Sequence, residues 1–130
     1  MRPQAIENWH RLVETRDPRG LADILTDDVV FESPVVHTPQ VGKSITKKYL
    51  ESALVVLNNE HFHYVGEWFG PTSGVLEFST EVNGIKINGV DIITWNDDNR
   101  ITHFKVMVRP LKAVNMLHQM MAGQLAALAP

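Results

Sequence analysis

The spacing of apolar positions changes character once along the chain. Ile6, Trp9 and Val13, with Leu12 beside them, recur at three- and four-residue intervals, so residues 3–15 are predicted as an amphipathic helix. Asp17-Pro18 opens a second, short helix, Asp17 being suited to cap it and Pro18 to its first position. Leu21, Ile24 and Leu25 make up its apolar side. Val29 to Ser33 is β-branched and aromatic and is stopped by Pro34, which predicts a short strand. A third helix follows Gly42, over about 43–57, with Ile45, Tyr49, Leu50, Leu54 and Leu57 apolar.

From there the period falls to two. Residues 61–69, 75–82, 85–95 and 101–109 all favour strands. Asn83-Gly84 is a strong two-residue hairpin signal, and Asn96 to Asn99 and Gly70 to Gly74 make two further tight connections. Three adjoining hairpins predict a curved antiparallel meander. Pro110 ends it, and 112–128 returns to helix with Val114, Leu117, Met121, Leu125 and Leu128 on one side. Helices, then a meander, then a closing helix predict one α+β domain over residues 1–130.

Alternation within the strands assigns their faces. Asp91, Ile93 and Trp95 share one face, as do Phe104, Val106 and Val108, and Leu76, Phe78 and Thr80. Val75, Glu77, Ser79 and Glu81 oppose the last set, and His103, Lys105, Met107 and Arg109 the one before it. The apolar faces are expected to look inward, under the helices. Asp91 is the residue that does not belong there.

Composition narrows the chemistry. The 130 residues include no cysteine, which excludes disulfides, thiolate zinc sites and cysteine nucleophiles. Twelve basic against fifteen acidic residues give a net charge of −3, which argues against a nucleic-acid partner, since that needs a basic stripe. The N-terminus has no apolar signal-like run and no stretch of eighteen apolar residues occurs, so no membrane partner and a cytoplasmic location are expected. His61 and His63 share a face, but Glu67, read with the same parity, lies about 13 Å along the strand from His63. No metal site is therefore expected. No glycine-rich phosphate motif precedes a helix, and no cofactor is implied.

Three strings carry a resemblance: Leu25-Thr26-Asp27-Asp28-Val29-Val30-Phe31-Glu32-Ser33-Pro34, Gly42 before the third helix, and Gly89-Val90-Asp91-Ile92-Ile93-Thr94-Trp95-Asn96 running into Arg100-Ile101. With the order of elements, they make the chain similar to the nuclear transport factor 2-like superfamily, in its SnoaL-like polyketide-cyclase and ketosteroid-isomerase-like branches. The resemblance implies a cone-shaped, curved, mostly antiparallel sheet of the cystatin-like type, wrapped by N-terminal helices and closed by a C-terminal one. It also implies a deep apolar pocket and a homodimer through the outer sheet face, where Glu77, Glu81, His103, Lys105 and Arg109 lie.

The isomerase machinery carries over in part. Its base, an aspartate before proline at the end of the first strand, corresponds to Ser33 before Pro34, and its first-helix tyrosine corresponds to Trp9. Its strand aspartic acid, kept neutral in that enzyme by an apolar site, corresponds to Asp91. True steroid isomerisation is therefore not expected, whereas Asp91 can serve as a lone acid or base, as the acidic residue of polyketide cyclases does. The expected site has Asp91 as the catalytic group and His37 as a second acid or base in a proline-flanked loop. Trp9, Val13, Phe31, Ser33, Tyr49, Phe78, Ile93, Phe104 and Val106 are expected to contact an apolar small molecule. Trp9, Trp68 and Phe104 are the bulky side chains able to fill the pocket. The expected function is proton transfer on an apolar carbonyl or enol by isomerase, cyclase or dehydratase chemistry; the alternative is a non-catalytic ligand-binding or dimerising domain.

Overall fold

In the computed structural model, which describes residues 2–128, the first helix, α1 (Gln4–Thr15), buries Ala5, Ile6, Trp9, Leu12 and Val13. It ends at Arg16, whose left-handed backbone (φ 56°) donates its N–H to the carbonyls of Leu12 and Val13. Asp17 then caps a single 3₁₀ turn at Pro18–Gly20 by accepting from the Arg19 N–H, and the short α2 (Leu21–Ile24) follows.

The first strand, β1 (Leu25–Glu32), starts four residues before the predicted one. Leu25, expected on the short helix, is instead its first residue and pairs with Ile101. The remaining elements are β2 (Gln40–Val41), α3 (Lys43–Leu57), β3 (His63–Phe69), β4 (Ser73–Val82), β5 (Ile85–Trp95), β6 (Ile101–Arg109) and α4 (Leu111–Leu128). With two residues, β2 carries no periodicity from which a strand could be predicted. β3 begins two residues later than expected, because Asn59 takes the His61 N–H with its side chain and leaves that stretch as a turn.

The six strands form one curved, unclosed sheet in the order β2-β1-β6-β5-β4-β3. All neighbours are antiparallel except β1 and β6. The β4–β5 turn is the predicted Asn83-Gly84 pair, with φ of 52° and 77° as a twisted two-residue hairpin requires. Gly89 marks the sharpest close approach: a side chain there would meet the Phe78 ring at 2.5 Å and the Met107 carbonyl at 2.6 Å. Its bareness lets Phe78 lie flat over β5 and lets the sheet bend.

One face of the sheet holds the core. Phe31, Leu76, Phe78, Ile87, Ile93, Ile101 and Phe104 are fully buried against α1, α3 and α4. In α4 the buried stripe is Ala113, Leu117 and Met121 with Met116 and Met120, so the predicted Val114 lies one position off it and Leu125 is only half-buried. The Leu128 side chain lies outside the described residues. Among the described residues no helix is long and apolar enough to cross a membrane.

Candidate functional site

The concave face, α1, α3 and α4 enclose a narrow cavity with a free volume of about 50 Å³. On this measure a water needs roughly 10–15 Å³, so the space as it stands holds a few waters. Aromatic and aliphatic groups from separate elements form its walls: Trp9 and Val13 of α1, Phe31 of β1, Phe78 of β4, Phe104 and Val106 of β6, and Leu117 and Met121 of α4. Trp9 packs edge-on against Phe104, and Phe62 stacks on Phe78.

Against this apolar lining stands Asp91, in the middle of β5 and 6 % exposed. Its Oδ2 accepts from the Tyr64 hydroxyl at 2.9 Å, and the same hydroxyl oxygen accepts from Trp9 Nε1 at 2.8 Å. The chain of donors thus runs Trp9 to Tyr64 to Asp91, from α1 across β3 to β5. Among the described residues no donor reaches the second carboxylate oxygen, Oδ1. Burial pushes the Asp91 pKa up to about 7, against the opposing effect of the Tyr64 hydrogen bond. Burial and the neighbouring Asp91 hold the Tyr64 phenol well above the ordinary tyrosine range, so it stays a proton donor.

Two further polar groups reach the cavity. Ser33 follows β1, and continuing the pairing of Phe31 with Phe104 and Glu32 with Lys105 brings it level with Val106, the partner of Asp91. Asp91 and Ser33 are thus two strand spacings apart, about 10 Å between backbones. Ser33 Oγ accepts the Val35 N–H at 3.1 Å, which leaves its own proton free to donate. Asn58, at the end of α3, donates to the Val13 carbonyl at 2.8 Å and turns its side chain along the wall.

The structure brings Asp91, Trp9, Val13, Phe31, Ser33, Phe78, Phe104 and Val106 together around the cavity. Tyr49 and Ile93 are not on its wall: Tyr49 packs behind Phe31, ring centroids 5.3 Å apart, and Ile93 is sealed in the core. His37 is exposed in the loop between β1 and β2 and does not reach the cavity. Trp68 is 59 % exposed on the outer face, where its ring lies over Gly66, so it does not fill the pocket.

Tyr64 is the residue that sequence reasoning missed. A β-bulge at Tyr64–Val65 sets two residues of β3 against one of β4, so Tyr64 pairs with Phe78 and Glu67 with Leu76, both inward. His63 pairs with Ser79 on the opposite face, which corrects the shared parity of His63 and Glu67. Among the described residues no group of three or more histidine, aspartate and glutamate side chains converges as metal ligands do.

Comparison with known proteins places this architecture. A family model described as the SnoaL-like domain matches residues 6–104. The chain is 37 % identical to a steroid delta-isomerase from Pseudomonas aeruginosa, covering 95 % of this chain and 90 % of that one with a TM-score of 0.89. It is 27 % identical to an uncharacterised bacterial protein with a cystatin-like fold from Silicibacter pomeroyi, covering 93 % and 84 % with a TM-score of 0.86. An NTF2-like protein of unknown function from Mesorhizobium loti shares the fold at a TM-score of 0.70, with 13 % identity and coverage of 82 % and 89 %. No curated sequence relative matches.

Proposed function

Because the chain belongs to the SnoaL-like family of the nuclear transport factor 2-like superfamily, we propose that its cavity binds a small apolar carbonyl compound or its enol, and that Asp91 moves a proton on it without a cofactor. The observation that carries this reading is the state of the Asp91 carboxyl. It is buried in the cavity wall and held on Oδ2 by Tyr64, with no donor on Oδ1 among the described residues and a pKa of about 7. At neutral pH such a group is present both as base and as acid.

The carboxylate form removes a proton from the carbon next to the carbonyl, and the acid form returns it elsewhere on the ligand. Isomerisation, cyclisation and dehydration share that first step. Negative charge then builds on the carbonyl oxygen, and the free Ser33 proton, facing Asp91 across Val106, is suited to donate to it. Trp9 and Tyr64 line the cavity and orient the carboxyl, and neither exchanges a proton with the ligand in this scheme. Ser33 and Trp9 stand where the steroid-type machinery has an aspartate and a tyrosine, so the isomerase class is carried over from the Pseudomonas relative and its steroid is not. With so little free volume, Leu117 and Met121 must give way on binding, and a thioether is suited to that.

The test is thermal unfolding and turnover of wild type and Asp91→Asn with a panel of enones, ketones and phenols. A ligand at one hundred times its Kd stabilises by about 2.7 kcal/mol, a shift of several degrees. Phenol and enone binding at least tenfold weaker in Asp91→Asn, with turnover lost, is the expected result. Equal affinity and equal turnover would remove Asp91 from the chemistry.

The outer sheet face supports a further part of the proposal, self-association as a homodimer. Trp68 and Met107 are more than half exposed there, beside partly covered Val75, Val90 and Ile92. Sedimentation of Met107→Glu against wild type checks it, a dimer that becomes a monomer being the expected outcome and an unchanged mass the contrary one.

A further inference from the structure

Behind Trp9, Tyr64 and Asp91 stands a second set of polar side chains that the proton-transfer scheme leaves unused. His10, the neighbour of Trp9 on α1, sets its imidazole edge against the Tyr64 ring, centroids 5.0 Å apart and planes at 77°. Its Nε2 is hydrogen-bonded to Oε1 of Glu67. Oε2 of Glu67 in turn accepts from Arg2, at 3.2 Å from Nε and 3.1 Å from Nη2. Consecutive residues of one helix therefore hold Tyr64 at two points, Trp9 at the hydroxyl and His10 at the ring.

The side chains of His10 and Glu67 are only 12 % and 20 % exposed, unlike the exposed ion pairs elsewhere on the surface, such as Arg19 with Asp17. The pair also exists by virtue of the β3 bulge. In a regular strand, residues 64 and 67 point to opposite faces, and Glu67 could not meet a helix that covers Tyr64. Tyr64 sits on β3, where among the described residues no further strand packs beside it, so its ring depends on α1 and on Phe62 for its orientation.

We propose that His10 and Glu67, backed by Arg2, form a positioning clamp that keeps the Tyr64 hydroxyl on Oδ2 of Asp91 and so leaves Oδ1 to the ligand. The proposal rests on the reading of Asp91 as the proton-transfer group. Neither His10 nor Glu67 lines the cavity, so both act through Tyr64. The titratable groups around Tyr64 are Asp91 from β5, His10 from α1 and Glu67 from its own strand, with Arg2 and Glu7 beyond them. The residues that β4, β6, α3 and α4 contribute to the cavity are all non-ionisable.

Because Tyr64 donation favours the ionised carboxyl, a loosened Tyr64 raises the Asp91 titration midpoint. The midpoint is read by carboxyl ¹³C NMR of the ligand-free protein, with the Asp91 signal assigned by its loss in Asp91→Asn. Glu67→Gln removes the charge but keeps an oxygen for His10, whereas Glu67→Ala removes both. The midpoint in Glu67→Ala is expected about half a pH unit or more above that in Glu67→Gln. Equal midpoints overturn the clamp. If Glu67→Ala does not fold by circular dichroism, His10→Phe takes its place, keeping a ring against Tyr64 and losing the bond to Glu67. A midpoint raised above wild type supports the clamp there, and an unchanged one overturns it. No substrate enters this measurement, so equal midpoints beside a dead Asp91→Asn enzyme sink the clamp alone, while full turnover in Asp91→Asn sinks the proton-transfer reading.

Discussion

Replacing Asp91 by asparagine isolates the cost of burying its carboxyl. Asparagine keeps an oxygen to accept the Tyr64 hydroxyl, so the Trp9–Tyr64 contact survives and only the charge is lost. The folded pKa of about 7 lies above the unfolded reference of 3.8. The folded state therefore holds the proton over a window in which the unfolded state has released it. The associated stability is fully present below about pH 4 and is lost progressively as pH rises to about 7. Three pH units at about 1.4 kcal/mol each make a loss of about 4 kcal/mol. That is a large share of the roughly 5–15 kcal/mol typical of a domain. Urea unfolding followed by circular dichroism at half-unit steps from about pH 4 to 8.5 measures it. The stability of wild type relative to Asp91→Asn should fall by about 4 kcal/mol across that range and then level off. Two parallel profiles would refute the raised pKa and with it the argument that Asp91 is poised for proton transfer.

Other substitutions test neighbouring parts of the structure. Tyr64→Phe removes the donor to Asp91; a hydrogen bond to a charged group is worth about 1.5–3 kcal/mol, so the Asp91 midpoint should rise by roughly one to two pH units in a carboxyl NMR titration. Gly89→Ala forces a carbon to 2.5 Å from the Phe78 ring and 2.6 Å from the Met107 carbonyl, and should cost about 2 kcal/mol or more in urea unfolding, against the small gain usual for filling a glycine in a strand. Ser52, fully buried on α3, has a hydroxyl with no hydrogen-bond partner among the described residues, and Ser52→Ala should leave the Tm unchanged or raise it by a few degrees.

How much of this is legible in the sequence depends on how regular each strand is. In β5 and β6 the pleat runs unbroken from residue 88 to 94 against 109 to 103, so counting by twos puts Asp91, Phe104 and Val106 on the inward face, where the structure has them. In β3 the bulge inserts one residue, and every face read across it reverses: Glu67 turns inward and Trp68, named among the side chains able to fill the pocket, turns outward. The sequence carries a weak cue in Val65-Gly66, since glycine in a strand often marks a bulge or bend. Leu25 is assigned to the wrong element because its partner, Ile101, is far along the chain and no local signal reports a parallel pairing. Trp9, expected to contact a ligand, is buried on α1 and also donates a hydrogen bond to the Tyr64 hydroxyl.

The parallel pairing of β1 with β6 also sets an order of assembly. Within the meander, β4 and β5 are joined by a two-residue turn and β5 and β6 by a short loop, so these contacts form at little cost in chain entropy. Phe31 and Phe104 are 73 positions apart and meet only when the whole intervening chain has closed on itself. We expect β1 to dock late, so that substitutions in it, such as Phe31→Leu, speed unfolding and leave the refolding rate nearly unchanged. A stopped-flow series in urea measures both rates, and a slowed refolding limb would place β1 in the nucleus instead. The wall that carries Phe31 and Ser33 is then a late-fitted piece, and the cavity exists only once the two ends of the sheet's longest connection have met.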